Sequence, residues 1–131
     1  MRSDELERYA TQIRVEQLGL ERQEKLATSK AAIIGVGALG STIAQLLVRT
    51  GVGKVLLVDG DNAERGNLHR QILYTEDDAD RSRPKVEAAL ERLRAANSST
   101  EIDGFTGRLV ESNARELLAG ADVVVDGTDN L

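Results

Sequence analysis

Three glycines in the first third of the chain restrict its fold more than any other feature. Gly35, Gly37 and Gly40 have the G-x-G-x-x-G spacing and directly follow the apolar run 31–34. In this pattern the first glycine permits a tight turn, the second lets a phosphate approach the backbone, and the third lets a helix pack close to a strand. A continuous apolar run is typical of a parallel strand that is buried on both faces. The segment therefore predicts a strand, a glycine turn and a helix.

The residues after the glycines extend this unit toward a nucleotide site. Apolar residues recur at helical spacing and predict one buried helix face. They are Leu39, Ile43, Leu46 and Leu47. The unpaired N–H groups at the start of this helix favour an anion. Residues 55–58 predict the second strand, and Asp59 at its end can accept hydrogen bonds from ribose hydroxyls. The motif alone does not distinguish NAD, FAD, S-adenosylmethionine and ATP.

Length and composition exclude several classes of protein. A chain of 131 residues corresponds to one domain or less, and its net charge of −5 disfavours nonspecific nucleic-acid binding. The absence of cysteine excludes disulfides, a thiolate zinc site and a cysteine nucleophile within these residues. No apolar run approaches the length of a membrane span, and the N-terminus lacks the apolar segment of a signal peptide. We therefore expect a cytoplasmic protein without membrane or nucleic-acid partners.

The first 29 residues predict a helical arm that precedes a core of residues 30–131. Residues 3–26 have helical character in two pieces, with Ser3 as a possible cap and Gly19 at the break before a second helix over 21–27. The inward face of the first piece contains Leu6, Tyr9, Ala10 and Ile13. We expect this arm to pack against the sheet or against a partner subunit.

A long polar segment, residues 60–85, follows the second strand and shows little regular pattern. Connections of this length between sheet elements tend to be functional, and this one should lie outside the carboxyl ends of the strands, where open α/β sheets bind ligands. It contains Asp61, Asn67, Arg70, Gln71 and Lys85. From the residues alone, ordinary surface charges on a solvated loop explain the segment equally well. We expect His69 to be a polar contact rather than a catalytic base.

The remaining residues alternate between helix and strand. Pro84 suits the first position of a helix that ends near Asn97. Residues 102–106 predict an alternating strand near a sheet edge, residues 112–118 a short helix, and residues 123–125 a buried strand. This order predicts an α/β, Rossmann-like, doubly wound and mainly parallel sheet, with the strands ordered 3-2-1-4.

Six short motifs give the chain a family resemblance. They occur in the order RYATQI, GVGALG, VDGD, GNLHRQILY, RPK and DGTDN. Their order and spacing resemble the ThiF/MoeB/HesA family, the bacterial relatives of ubiquitin-activating E1 enzymes, over about residues 8–130. The N-L-x-R-Q pattern within them is much more specific than the glycine motif. With this resemblance, the polar segment is expected to be an active site.

The resemblance implies an adenylyltransferase that uses ATP and Mg²⁺. The substrate would be the C-terminal carboxylate of a ubiquitin-like or sulfur-carrier protein, which attacks the α-phosphorus and releases pyrophosphate. By motif, Asp59 would hold the ribose, Asn67 and Arg70 the phosphates, Lys85 the charge near the reacting phosphate, and Asp129 the metal. The catalytic residues would be Arg70, Lys85 and Asp129. All expected nucleotide contacts are Gly35, Gly37, Ala38, Gly40, Asp59, Asp61, Gly66, Asn67, Arg70, Gln71, Lys85, Asp129 and Asn130.

Two departures from the family pattern affect this interpretation. Family members commonly have R-Y-x-R-Q-I near the N-terminus, and their second arginine reaches the phosphate site of a partner subunit in a homodimer or heterodimer. This chain has Thr11 there, so either Arg8 or Arg14 replaces that arginine, the partner is a different chain, or the activity is reduced. Family domains also continue beyond the TDN motif, so we expect a truncated domain, with zinc possible only in residues beyond Leu131.

Two alternatives remain open from the sequence. A noncatalytic subunit that scaffolds a dimer would explain Thr11 and the abrupt end, and it predicts no stabilisation by nucleotide. An NAD-dependent oxidoreductase would explain the glycines and Asp59 but not Asn67, Arg70, Lys85 or Asp129.

Overall fold

The computed structural model describes residues 1–129, so the predicted contact Asn130 lies outside the described residues. Helices and strands alternate along the chain after a helical N-terminal arm. The elements are α1 (Ser3–Arg8), α2 (Ala10–Ile13), α3 (Gly19–Ala27), β1 (Lys30–Ile34), α4 (Ala38–Thr50), β2 (Lys54–Asp59), a 3-10 turn (Arg65–Asn67), α5 (Glu76–Asp80), α6 (Lys85–Ala96), β3 (Glu101–Thr106), α7 (Glu111–Leu117) and β4 (Val123–Asp126).

The four strands form a parallel sheet in the order β3-β2-β1-β4. Ala32 of β1 pairs with Leu56 on one side and with Val124 on the other, and Leu56 pairs in turn with Asp103 of β3. This confirms the predicted Rossmann-like α/β fold and strand order. The alternating strand β3 lies at an edge of the sheet, as its pattern predicted. The carboxyl ends of all four strands therefore meet at one edge.

Apolar residues cover both faces of the sheet. On one face, alternate residues of the strands, such as Ile33 and Leu57, pack with α4 and α6 through Val48 and Leu93. On the other face, Ala32, Leu56 and Val58 pack with the smaller apolar surface that includes α7. The two helical layers make the sheet doubly wound. No helix within residues 1–129 is long and apolar enough to cross a bilayer.

The buried face of α4 differs from the predicted one. Leu39 and Leu46 are both 59% exposed, although the apolar stripe placed them inside. The buried residues of this helix are Gly40, Ser41, Ala44 and Val48. Their small side chains let the helix axis approach the sheet closely, and that approach turns the two large leucines outward. The prediction was therefore wrong for Leu39 and Leu46, whereas Ile43 and Leu47 are partly buried and pack against the core as expected.

Strand β4 is also less buried than its sequence predicted. Val123 is 55% exposed and Val124 is 48% exposed, whereas a buried strand was expected. The strand pairs with β1 and occupies the other edge of the sheet, so its side chains meet few neighbours within residues 1–129. An apolar run thus predicted the strand correctly but not its burial.

The N-terminal arm contacts the ends of two helices, and its Leu26 packs against the core on one face of the sheet, as predicted. Its residues form three helices instead of two, and Ser3 is the first helical residue instead of the cap. Tyr9 is 3% exposed, and its hydroxyl accepts a hydrogen bond of 2.8 Å from Asn97 Nδ2 at the end of α6. Gln23 Nε2 donates to the Thr50 carbonyl at the end of α4 at 2.8 Å. The boundary between arm and core at residues 29 and 30 stays a prediction.

The polar segment contains more regular structure than its sequence indicated. It forms the 3-10 turn and α5, and an isolated bridge joins Asn62 to Pro84. Thr75 and Asp78 form a capping box at the start of α5, which explains why so short a helix forms there. Pro84 caps α6 and does not occupy its first position.

Candidate functional site

A cavity of about 720 Å³ lies at the carboxyl ends of the strands. Residues that follow each of the four strands line it, together with residues of the polar segment. The predicted residues that line it are Gly35, Gly37, Ala38, Asp59, Asp61, Asn67, Arg70, Gln71, Lys85 and Asp129. Gly40 and Gly66 do not line it. The structure thus brings together almost every side chain for which the sequence predicted a nucleotide contact.

The glycine turn is shaped by direct contact between backbone segments. Gly35 has a φ of +88°, and a Cβ added there would lie 2.9 Å from the carbonyl carbon of Gly127. A Cβ on Gly40 would lie 1.7 Å from the Gly35 carbonyl oxygen. Gly40 therefore holds α4 against the turn, and this is why it does not reach the cavity. Gly127 was not among the predicted site residues, although it follows the β4 strand end.

Asp59 stabilises the glycine turn with both carboxylate oxygens. Its Oδ2 accepts a hydrogen bond of 2.9 Å from the Val36 N–H, and its Oδ1 accepts one of 2.8 Å from the Asp61 N–H. Each carboxylate oxygen can accept a second hydrogen bond, so a ribose hydroxyl could still bind. Asp59 can thus orient the turn and contact a ligand at the same time.

Two predicted phosphate contacts lie side by side at the end of the 3-10 turn and just after it. Arg70 Nη2 donates to Asn67 Oδ1 at 3.0 Å, and Arg70 Nη1 lies 3.4 Å from His69 Nε2. Gln71 is 5% exposed, and within residues 1–129 its Oε1 has no hydrogen-bond partner. An orphaned buried acceptor that lines a cavity is suited to a ligand donor.

Lys85 is the most informative residue of the cavity. It is the first residue of α6 and is 6% exposed, and its backbone N–H donates to the Asp61 carbonyl at 2.9 Å. Its ammonium forms no ion pair or hydrogen bond with any residue from 1 to 129. A buried cation at the positive end of a helix is unfavourable unless an anion compensates it. Lys85 therefore points to an anionic ligand.

A buried carboxylate anchors the polar segment outside the cavity. Asp78 is fully buried, and its Oδ2 lies 2.8 Å from Arg92 Nη1 while its Oδ1 lies 3.2 Å from Arg83 Nη1. Burial alone would raise the pKa of Asp78, but hydrogen bonds from the Thr75 N–H and hydroxyl, together with Arg92, hold that pKa below its ordinary value. Asp78 thus stays ionised and ties α5 to α6.

The turn after β4 brings a further carboxylate to the cavity. Asp126 Oδ1 accepts hydrogen bonds from the Thr128 hydroxyl at 2.6 Å and from the Thr128 N–H at 3.0 Å, and these lower the pKa of Asp126. The exposed Asp129 follows this turn and lines the cavity. No group of three or more potential metal ligands occurs within residues 1–129. Asp129 and Asp61 suit Mg²⁺, which often needs only one or two carboxylates beside substrate phosphates.

Sequence reasoning missed three further contributors to the site. Arg108 and Leu109 follow β3 and line the cavity, as Asp59 does after β2. Their position after a strand end was the available signal. Tyr74 is 6% exposed and donates from its hydroxyl to the Val36 carbonyl at 2.5 Å. Burial, and after it the charges of Asp59 and Asp78, raise the pKa of Tyr74.

This chain is similar to known proteins in both sequence and fold. It is 44% identical over 123 residues to the sulfur carrier protein ThiS adenylyltransferase of Bacillus subtilis, covering 94% of this chain and 37% of that protein. It is 42% identical over 127 residues to the sulfur carrier protein adenylyltransferase of Thermus thermophilus, covering 97% of this chain and 46% of that protein.

A solved structure gives the same picture. The Escherichia coli tRNA N6-threonylcarbamoyladenosine dehydratase TcdA, in complex with ATP, superposes with a TM-score of 0.89 at 25% identity, covering 98% of this chain and 52% of TcdA. The chain thus spans about half or less of the length of these proteins. The model of the ThiF family matches residues 9–131, and the chain belongs to that family.

Proposed function

We propose that this chain provides the ATP site of an adenylyltransferase that activates the C-terminal carboxylate of a ubiquitin-like or sulfur-carrier protein. The observation that carries the proposal is the buried ammonium of Lys85, which has no partner among residues 1–129 and lines the same cavity as the start of α4. The sulfur-carrier adenylyltransferases among its relatives and the ATP complex of TcdA support it.

The cavity residues can perform the steps that this reaction requires. A carboxylate oxygen of the carrier would attack the α-phosphorus while the bond from that phosphorus to the bridging oxygen of pyrophosphate breaks. Lys85 and Arg70 would stabilise the negative charge that develops, and the N–H groups at the start of α4 would hold a phosphate. Asp59 would orient the ribose. Catalysis of this kind consists mainly of positioning and electrostatic stabilisation.

Magnesium would complete the site. Asp129, with Asp61 beside the same cavity, would hold Mg²⁺, which neutralises phosphate charge when bound. The role of Asp129 as a metal ligand is part of the proposal. We also expect the protein to act in the cytoplasm.

A second subunit is the remaining part of the proposal. Arg8 donates to the Ala96 carbonyl at 3.1 Å, so its guanidinium is already engaged within the chain. Arg14 is exposed and forms no ion pair or hydrogen bond through its guanidinium within residues 1–129. In a homodimer or heterodimer, Arg14 would therefore be better placed than Arg8 to replace the family arginine whose position Thr11 occupies in this chain.

Substitution of Lys85 tests the proposal directly. Lys85→Met removes the charge but keeps the length of the side chain, and we expect MgATP binding to weaken at least about tenfold because a charge-assisted contact is lost. Thermal stability without nucleotide should not fall, since the change removes an unpaired buried charge. Isothermal titration calorimetry and thermal denaturation measure the two effects.

The matched control is Lys25→Met, which removes an exposed cation from α3 outside the cavity. It should bind MgATP like the wild-type chain. In the full-length protein, Lys85→Met and Arg70→Ala should both abolish ATP–pyrophosphate exchange that depends on Mg²⁺ and the carrier. Unchanged binding and exchange in these variants would refute the site. A wild-type chain that MgATP does not stabilise would favour a noncatalytic scaffold.

A further inference from the structure

Two side chains from distant parts of the chain, Tyr74 and Asp59, hold the glycine turn at one residue, Val36. The Tyr74 hydroxyl donates to the Val36 carbonyl, and the Val36 N–H donates to Asp59 Oδ2 at 2.9 Å. Val36 itself is fully buried, and Tyr74 is 6% exposed. Both peptide groups that flank Val36 are therefore fixed by the protein.

This arrangement also determines the direction of the next donor. The Val36 carbonyl and the Gly37 N–H belong to one planar trans peptide group, so the two bonds point in opposite directions. Because the carbonyl points at the buried Tyr74 hydroxyl, the Gly37 N–H points away from Tyr74, and Gly37 lines the cavity. Within residues 1–129 this N–H donates to no acceptor.

Tyr74 also closes the turn that carries the polar wall of the cavity. Its N–H donates to the Gln71 carbonyl at 3.2 Å, and the Gln71 N–H donates to the Asn67 carbonyl at 2.9 Å. Arg70 lies within this turn and lines the cavity with Asn67 and Gln71. A single hydroxyl thus connects the glycine turn with the wall that faces it.

We propose that Tyr74 is a positioning residue, whose hydroxyl orients the Gly37 N–H toward a nucleotide phosphate and holds the Asn67–Gln71 turn against the glycine turn. This inference rests on the proposed function, because it assumes that the cavity binds a nucleotide phosphate. Tyr74 acts through the Val36 carbonyl and need not touch the ligand.

The chain offers a matched pair of variants, because it has two tyrosines and both are buried. Tyr74→Phe removes the bond to Val36. Tyr9→Phe removes a comparable bond with Asn97, whose side chain contacts the other end of α4 at Val48. Both variants should lower the melting temperature by about 3–6 °C, as expected for one lost buried hydrogen bond. Only Tyr74→Phe should weaken MgATP binding, by about three- to tenfold in calorimetry. Tyr9→Phe should stay within about twofold of wild type.

Two further readouts distinguish positioning from stability. In ATP–pyrophosphate exchange by the full-length protein, Tyr74→Phe should raise the KM for ATP and leave kcat within about twofold, because the phosphate contact is made in both ground and transition state. The chain has no tryptophan, so tyrosine emission in the Tyr9→Phe variant comes from Tyr74 alone. Saturation with MgATP should change that emission.

The outcomes separate this inference from the proposed function. If the wild-type chain does not bind MgATP, the proposed function fails, and the inference fails with it. If the wild-type chain binds but Tyr74→Phe and Tyr9→Phe bind equally well, only the inference is refuted. If Tyr74→Phe does not fold, the emission of Tyr74 in Tyr9→Phe decides: a response to MgATP supports the role, and its absence overturns it.

Discussion

The two ends of α4 satisfy their backbone groups in opposite ways. At the C-terminal end, the Val48 carbonyl accepts a hydrogen bond of 2.8 Å from Asn97 Nδ2, and the Thr50 carbonyl accepts bonds from Gln12 and Gln23 at 3.0 Å and 2.8 Å. At the N-terminal end, Gly37 and Ala38 line the cavity, and the side chains hold the turn without capping the helix. Since buried backbone groups require partners, the protein closes the C-terminal end, whereas the N-terminal end is open toward the cavity, where the proposed nucleotide phosphate would complete it.

The largest expected effect on stability comes from adding a methyl group at the N-terminal end of α4. Gly40→Ala would place a Cβ 1.7 Å from the Gly35 carbonyl oxygen. In an exposed helix the same change would be favourable by about 1 kcal/mol. Here the backbone would have to move, so we expect the free energy of unfolding to fall by about 3 kcal/mol or more, together with MgATP binding. Urea denaturation and calorimetry measure these effects.

Gly66→Ala is the control for that experiment. A Cβ on Gly66 would meet no atom within 4 Å, so its effect on stability should stay within about 0.5 kcal/mol. Equal stability of the two variants would show that α4 does not need its close approach to the turn.

A smaller loss of stability is expected from removing a hydrogen-bond donor at the C-terminal end of α4. Asn97 is fully buried and bridges the Tyr9 hydroxyl and the Val48 carbonyl. Asn97→Ala leaves these groups without their donor, so we expect a loss of about 2–3 kcal/mol in urea denaturation, against little change for the exposed Ser98→Ala. The affinity of the folded protein for MgATP should stay within about twofold. A parallel loss of affinity would contradict the separation of the two ends.

The smallest of the three effects concerns the anchor of the polar segment. Asp78→Asn removes a buried charge from Arg83 and Arg92, and we expect a loss of about 2 kcal/mol near neutral pH. Because the pKa of Asp78 is lowered on folding, its ionised form contributes stability above the ordinary aspartate pKa, and this contribution is lost as the pH falls through the lowered value.

The pH dependence provides the test for this variant. The difference in stability between wild type and Asp78→Asn should be full above about pH 4–5 and should shrink at more acidic pH. Denaturation curves across this range measure it, with the exposed Asp77→Asn as the matched control. A constant difference from neutral to acidic pH would rule out the charge of Asp78 as the cause.

The strand order could be predicted from the alternation of strands and helices, and most cavity residues from the glycine motif and from the motifs that carry the family resemblance. The buried face of α4 could not. The spacing of large apolar residues predicted that Leu39 and Leu46 would be buried. Instead, the close approach of the backbone at Gly40 buries the face with small side chains, including Ser41 and Ala44. A pattern that weights side chains by their apolar size cannot detect a face selected for lack of volume.

The role of Tyr74 was equally hidden in the sequence. In the run ILY it appears as one more core residue, and its burial fits that interpretation. The partner of its hydroxyl is a backbone carbonyl 38 positions earlier, and every residue type has such a carbonyl. Spacing and residue type predict side-chain chemistry, but contacts to backbone depend on the tertiary fold.

The contact among Gly35, Gly40 and Gly127 has a consequence for how this site can diversify. A Cβ at any of the three would lie within 3 Å of the backbone of another. This backbone arrangement therefore has no room for a side chain at any of the three positions, and we expect new ligand preferences to arise on the surrounding walls. We expect variant libraries of the polar segment and of residues 107–109 to yield altered nucleotide selectivity, while libraries of the three glycines yield mainly unfolded protein.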